Sequence, residues 1–264
     1  MTYEQITLEK EESIAIITLN RPEKLNALGS KMLDELTLVL EELAGDRQVK
    51  VMILTGAGRG FCAGIDLTEP ASAANIAERR FRLQPFGRYG TSLLKIKSLA
   101  IPTIAAVNGI AAGGGFSLAL CCDIRLASEK AAFSASFVKR GLVPDGGITY
   151  LLPQSVGTAH ALELLLTGDT IDAQEASRLG LVSKVIPAEE LLNEAKKLAG
   201  RIDQGAPIAI ELARKSVYKA MENKEFSDVM AYEAWAQSIC AKSEDSHEGI
   251  RAFLERRAPL FEGK

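Results

Sequence analysis

The chain has 264 residues, 47% of them hydrophobic and 25% charged, with a net charge of −3. A chain of this length buries most of its apolar surface without disulfide staples, and it fits one large domain or a core with a small appendage. The mildly acidic balance argues against nucleic acid as the main partner, which would call for a basic face, and leaves local basic clusters for a phosphorylated ligand.

Ile6–Glu11 and Ile14–Leu19 read as the two strands of a hairpin, the second carrying the β-rich run Ile14-Ala15-Ile16-Ile17. Asn20-Arg21-Pro22-Glu23 is a turn. Ser30 is expected to cap a helix whose stripe is Met32, Leu33, Leu36, Val39, Leu40 and Leu43, ended by Gly45-Asp46. Residues 49–55 form an almost wholly apolar strand, the pattern of a strand covered on both faces. A glycine-rich loop follows at 56–66, then a helical region at 70–98 with a polar start, then a buried strand at 102–107. The glycine run 108–115 leads into an apolar helix at 116–121, and short strands are expected at 123–127 and 132–133. Residues 141–147 make a turn-rich loop entering a helix. Helices then dominate at 158–166, 172–179, 187–203, 207–222, 225–242 and 244–257. This order is α/β, with a core over 1–200 and a helical segment over 201–264. Phe226, Met230, Tyr232, Trp235, Ile239 and Phe253 on the terminal helices point to burial against the core or against another subunit.

Cys62, Cys121, Cys122 and Cys240 lack both disulfide-framework density and metal-finger spacing, so reduced cysteines and a cytoplasmic location are expected. The charged start MTYEQITLEKEE has no apolar signal region. The longest apolar stretch, 104–122, is broken by Asn108 and several glycines, which excludes a membrane span there.

Two glycine-rich turns each follow a buried strand, where the lack of Cβ lets a ligand approach the backbone. Gly56-Ala57-Gly58-Arg59-Gly60-Phe61 has Phe61 where a dinucleotide loop needs its third glycine, and no Gly-Lys-Ser/Thr ending for a P-loop. Gly113-Gly114-Gly115 opens into a helix, whose free N–H groups and positive dipole end suit an anion; tight strand–helix packing would equally use such a run. Gly115-Phe116-Ser117-Leu118-Ala119 approaches the GxSxG nucleophile elbow, but Ser117 would need His160 or His247, both on polar helical stretches. Neither histidine has metal-site spacing. Asp145, between Pro144 and Gly146-Gly147, reads either as a helix cap or as a base, the second if an apolar setting raises its pKa.

Taken together these segments resemble the crotonase (enoyl-CoA hydratase/isomerase) superfamily over nearly the whole chain. The matching runs include Asn20-Arg21-Pro22, Asn26-Ala27-Leu28, Gly60-Phe61-Cys62-Ala63-Gly64-Ile65-Asp66-Leu67, Ala106-Val107-Asn108-Gly109, Gly113-Gly114-Gly115, Cys122-Asp123, Leu166-Thr167-Gly168-Asp169 and Glu248-Gly249-Ile250. The resemblance implies an α/β fold, a crotonase-like spiral of β-β-α units with a C-terminal helical trimerisation region, assembled as a homotrimer or homohexamer. It implies an acyl-CoA substrate with coenzyme A as part of the substrate and no permanently bound cofactor, metal, nucleic acid or membrane partner.

By motif, the oxyanion-hole donors would be the backbone N–H groups of Ile65 and Gly114, holding a thioester enolate. Coenzyme A would lie along Leu25, Asn26 and Ala27 and along Ala63, Gly64, Asp66 and Leu67. Phe253 and Arg256 of a neighbouring subunit would close that site; Arg256 replaces the family's usual lysine. Phe116, Ser117 and Phe137 are expected near the acyl group, and residues 70–98 line its pocket; Phe81, Phe116 and Phe137 fit a roomy apolar pocket and core packing equally well.

The family's hydratases use two glutamates, and here those positions hold Ser117 and Phe137 of the pair Ser136-Phe137. Hydration needs water activated at one carbon and a proton delivered to the next. Asp145, in Leu142-Val143-Pro144-Asp145-Gly146, resembles the branch of 1,2-epoxyphenylacetyl-CoA isomerases of phenylacetate degradation, which implies an isomerase with Asp145 as acid/base. A hydratase using Asp145 alone, a hydrolase using Ser117 and a non-catalytic acyl-CoA binder are the alternatives.

Overall fold

The computed structural model describes residues 3–69, 86–222 and 225–264; the part of the expected 70–98 helix before residue 86, with Phe81, lies outside them. The strands in chain order are β1 (Ile6–Glu11), β2 (Ile14–Leu19), β3 (Val51–Gly56), β4 (Gly60–Cys62), β5 (Thr103–Val107), β6 (Ile110–Ala112), β7 (Ile124–Ser128), β8 (Ala132–Ser134), β9 (Thr170–Asp172) and β10 (Lys184–Ile186). They build two sheets, a larger one in the order β1-β2-β3-β5-β7-β10 and a smaller one in the order β4-β6-β8-β9. The chain steps from the large sheet to the small one three times in succession, β3 to β4, β5 to β6 and β7 to β8, which is the expected spiral.

The large sheet is parallel except for the β1–β2 hairpin. Side chains alternate across a strand, so each strand feeds two cores. Ile17, Leu19, Met52, Leu54, Ala105 and Val107 face the main core. Ile16, Val51, Ile53, Ile104, Ala106 and Leu126 face the other, under Leu191, Ala195 and Ala199 of the helix Leu191–Asp203. This explains why the strands read as continuous apolar runs.

The helices are α1 (Ser30–Gly45), α2 (Gly87–Ser98), α3 (Gly114–Cys121), α4 (Ile148–Val156), α5 (Thr158–Thr167), α6 (Ala173–Arg178), α7 (Leu191–Asp203), α8 (Pro207–Glu222), α9 (Phe226–Cys240) and α10 (Glu244–Glu255). One expectation fails at α1. Gly29, not Ser30, is its N-cap, and no side chain caps it. Instead Ser30 N–H donates to Glu69 Oε2 at 2.9 Å, so a distant carboxylate does the work expected of a local hydroxyl.

Helix α8 is tied to the core by a buried ion pair. Arg214 Nε donates to Asp123 Oδ2 at 2.7 Å, while its other nitrogens donate to Leu99 O at 2.8 Å and Lys97 O at 3.0 Å. Beyond it, burial of the terminal aromatics against their own core is not what is found. Phe226, Trp235 and Phe253 are exposed, and so are Leu254 and Leu260. These helices pack through small residues such as Ala236 and Ala252 and turn their large apolar groups outward. Among the described residues, no helix is long and apolar enough to cross a membrane.

Candidate active site

β4 and β6 are parallel neighbours, so the segments that follow them leave the small sheet side by side. One is Ala63-Gly64-Ile65 and the other Gly113-Gly114-Gly115. Their approach is close enough to demand glycine. A Cβ on Gly64 would sit 2.7 Å from Ala112 O and 3.2 Å from Gly114 N, and a Cβ on Gly115 would sit 2.7 Å from the carbonyl carbon of Cys62. Gly113 turns the chain into α3 with φ 50° and ψ −120°, a conformation open essentially to glycine. Among the described residues, neither the Ile65 nor the Gly114 N–H has a backbone acceptor. Gly114 N–H is also at the positive end of the α3 dipole. Two unsatisfied donors on adjacent fixed loops are what a developing oxyanion needs.

Along the other edge of the 63–66 segment runs the turn at Leu25. Ala63 N–H donates to Leu25 O at 2.9 Å, Leu28 N–H to Gly64 O at 2.7 Å, and Asp66 N–H to Leu28 O at 3.1 Å. Leu25 and Asn26 both take left-handed φ, 50° and 57°. The Asn26 side chain enforces this: fully buried, it accepts from Arg21 N–H at 2.8 Å and donates to Ala57 O at 2.9 Å and Gly60 O at 2.8 Å. Asp66 accepts from Arg21 Nη2 at 2.9 Å and Lys24 Nζ at 3.0 Å. Hydrogen bonds from Thr68 first, then from Lys24 and Arg21, hold its carboxyl well below the usual carboxylate range despite its burial. The side chains of Asn26 and Asp66 therefore fix the turn from inside, leaving backbone, Leu25, Ala63 and the exposed Leu67 to meet a ligand.

Asp145 lies on the wall of a cavity of about 760 Å³ between α2, α4 and α8. The cap reading of Asp145 fails: Gly147 is the N-cap of α4, and no side chain caps that helix. Among the described residues the Asp145 carboxylate has no hydrogen-bond or ion-pair partner. It opens toward the cavity, yet the surrounding protein strips enough water to raise its pKa above the ordinary value, with desolvation as the cause. Its backbone is tethered. Ser117 Oγ donates to Asp145 O at 3.0 Å, linking α3 to the Asp145 turn. Ser117 is fully buried, so the hydroxyl that an elbow would present to substrate is instead a structural bond, and both histidines are exposed, His160 beside Glu163 and His247 on α10. That removes the physical basis for a serine hydrolase.

Tyr89 of α2 joins these parts and was not singled out in the sequence. Its hydroxyl donates to Gly114 O at 2.9 Å, and its ring lies where a Cβ on Gly146 would fall, 2.8 Å from Cε1. Burial raises the phenol pKa, so Tyr89 stays protonated and acts as a donor. One chain of contacts thus runs from the Gly114 turn through Tyr89 to Gly146 and Asp145. Phe116 is not part of it; it packs on Phe133 in the core, ring centroids 5.4 Å apart, and Phe137 is likewise buried. Phe253 and Arg256 lie on the exposed C-terminal face, away from the cavity lining of their own chain.

Residues 9–264 match the enoyl-CoA hydratase/isomerase family. The chain is 41% identical over 261 residues to the "Probable enoyl-CoA hydratase echA8" of Mycobacterium tuberculosis (strain CDC 1551 / Oshkosh), covering 99% of each. It is 36% identical over 261 residues to the "1,2-epoxyphenylacetyl-CoA isomerase" of Escherichia coli (strain K12), covering 96% of this chain and 97% of that one. The crystal structure of an enoyl-CoA hydratase from Bacillus anthracis superposes with a TM-score of 0.91 at 33% identity, over 99% of this chain and 100% of that one. With its two-sheet spiral, paired glycine loops and C-terminal helices, the chain belongs to the enoyl-CoA hydratase/isomerase family and has the crotonase fold.

Proposed function

We propose that the protein is an acyl-CoA isomerase in which Asp145 is the acid/base and the N–H groups of Ile65 and Gly114 hold the thioester oxygen. The observation that carries this reading is the single available carboxylate. Among the described residues only Asp145 and Glu222 bring a carboxylate to the cavity wall, and Glu222 faces Lys219 at 3.9 Å. Asp145 adjoins the Gly146–Tyr89–Gly114 contacts, and among the described residues no partner holds its proton-accepting oxygens back.

A double-bond shift needs only one such group. Asp145 removes the proton from the carbon next to the thioester carbonyl of a 3-enoyl-CoA, and the electron pair moves onto the thioester oxygen as a dienolate. Protonated Asp145 then returns the proton two carbons along, giving the conjugated 2-enoyl-CoA. Each fixed donor at the oxyanion contributes about 3–4 kcal/mol to such a step. The coenzyme A moiety lies along Leu25, Ala27 and the 63–67 segment. The exposed Phe253, Leu254 and Leu260 pack between subunits of a homotrimer or homohexamer.

Asp145→Asn is expected to lower turnover of a 3-enoyl-CoA by about 10²–10⁴-fold, the usual contribution of a positioned base, while folding normally. Appearance of the conjugated thioester absorbance reads the reaction, and unchanged turnover in a folded variant would refute the assignment. Hydration is the second reading, favoured by the name of the 41% identical relative. Loss of conjugated absorbance from a 2-enoyl-CoA in water would reveal it.

A further inference from the structure

The cavity is lopsided in charge. Helix α2 runs along it and presents one stripe to it, Tyr89, Leu93 and Lys97, spaced four residues apart. Tyr89 marks the Gly114 end. Lys97 is eight residues further, roughly 12 Å along the helix axis at 1.5 Å per residue. Between them the wall is Leu93, Leu94 and Leu151, apolar in keeping with a hydrocarbon chain.

At the far end Lys97 is unlike the other cations. Arg214 is bound to Asp123, Lys215 to Glu211, and Lys219 faces Glu222. Among the described residues Lys97 Nζ has no carboxylate within ion-pair distance; it rests on the Tyr218 ring, 3.5 Å from the centroid. Asp123, the carboxylate that acts on it from nearby, is already engaged by Arg214, Tyr218 and Thr103. A ring face attracts an ammonium but cannot accept its three N–H donors. Burial pushes the Lys97 pKa down to about 8; the Asp123 carboxylate opposes this and the Arg214 and Arg125 guanidinium groups add to it. The far wall therefore holds a half-buried ammonium with no ion-pair partner of its own among the described residues, because the one carboxylate acting on it, Asp123, is hydrogen-bonded by other groups.

We propose that Lys97 is a specificity residue for the far end of the acyl chain, and that the cavity takes medium-length acyl-CoA thioesters whose distal end is a carboxylate. This rests on the acyl-CoA reading above. The chain enters at the Gly114 turn, passes the leucines, and places its anionic end on the Lys97 ammonium.

The test is calorimetric titration of the purified full-length protein with two saturated acyl-CoA thioesters of equal chain length, one ending in methyl and one in carboxylate. Saturated thioesters cannot undergo the double-bond shift, so binding is read apart from turnover. The carboxylate-ended ester is expected to bind at least tenfold tighter below pH 8, and the preference falls as Lys97 loses its proton at higher pH. Lys97→Met abolishes the preference and keeps the affinity for the methyl-ended ester; Lys97→Arg keeps the preference. Equal affinities in the wild type, or a preference that survives Lys97→Met, overturn the inference while leaving the Asp145 mechanism standing. Failure of both esters to bind overturns both.

Discussion

Gly115→Ala probes the spacing of the two donor loops directly. The new Cβ would sit 2.7 Å from both the carbonyl carbon and the Cβ of Cys62 and closer still to the Cys62 carbonyl oxygen, against 3.4 Å for ordinary contact. The deficit is therefore about 0.7 Å at carbon and larger at oxygen, and most of the obstruction is backbone. No flexible side-chain end can swing aside, so α3 must back away from β4. Overpacking of this kind costs about 1–3 kcal/mol of stability. The displacement also moves Gly114 N–H away from Ile65 N–H, and a misplacement of about 1 Å lowers a positioned reaction by about 10²-fold. Two measurements check this: the urea midpoint for stability and kcat/KM on a 3-enoyl-CoA for function. A variant that loses less than about threefold in kcat/KM while shifting its urea midpoint shows that loop spacing does not set the rate, and the oxyanion assignment of Ile65 and Gly114 falls.

Two further outcomes follow from the charges. On the proposed assignment of Asp145 as base, whose pKa desolvation raises, kcat/KM should fall as pH drops through a limb lying above 3.8, its ordinary value; a flat profile across that range in a folded enzyme would remove Asp145 as the titrating base. Arg214→Met leaves Asp123, in a largely buried site, hydrogen-bonded among the described residues only by Thr103 and Tyr218, and should cost about 3 kcal/mol in urea unfolding, the low end for a broken buried pair; a loss under about 1 kcal/mol contradicts the anchoring role given to it.

Much of the fold was legible because its signals are local. The hairpin, the apolar strand near Val51 and helix Pro207–Glu222 each carry their period within their own residues. The small sheet was not legible in full. Its strands Gly60–Cys62, Ile110–Ala112, Ala132–Ser134 and Thr170–Asp172 are three residues long, too short to show alternation, and exist because the large sheet brings them together. The glycine loops could be read from composition, yet their mutual approach at Gly64 and Gly115 is a product of β4–β6 pairing. Tyr89 gave no signal because its meaning depends on what stands across the cavity. A sign was available for Lys97, a lysine on the same face of a helical pattern as Tyr89 and Leu93. The cap expected of Ser30 failed for the converse reason: Glu69, distant in sequence, reaches its N–H first.

The bond from Ser117 to the Asp145 carbonyl bears on how this chain could change its chemistry. Position 117 is where the family's hydratases, by resemblance, place an acid, and here it is fully enclosed by protein. Reintroducing Glu at 117 would cut the tether that holds the Asp145 turn and put a second carboxylate beside it, each raising the other's pKa. The Ser117 tether and a carboxylate at 117 exclude one another locally, so the single substitution leaves the Asp145 turn without its bond to the helix Gly114–Cys121. A carboxylate can enter at position 117 without loosening this turn only if the Pro144-Asp145-Gly146 segment is first held by other bonds.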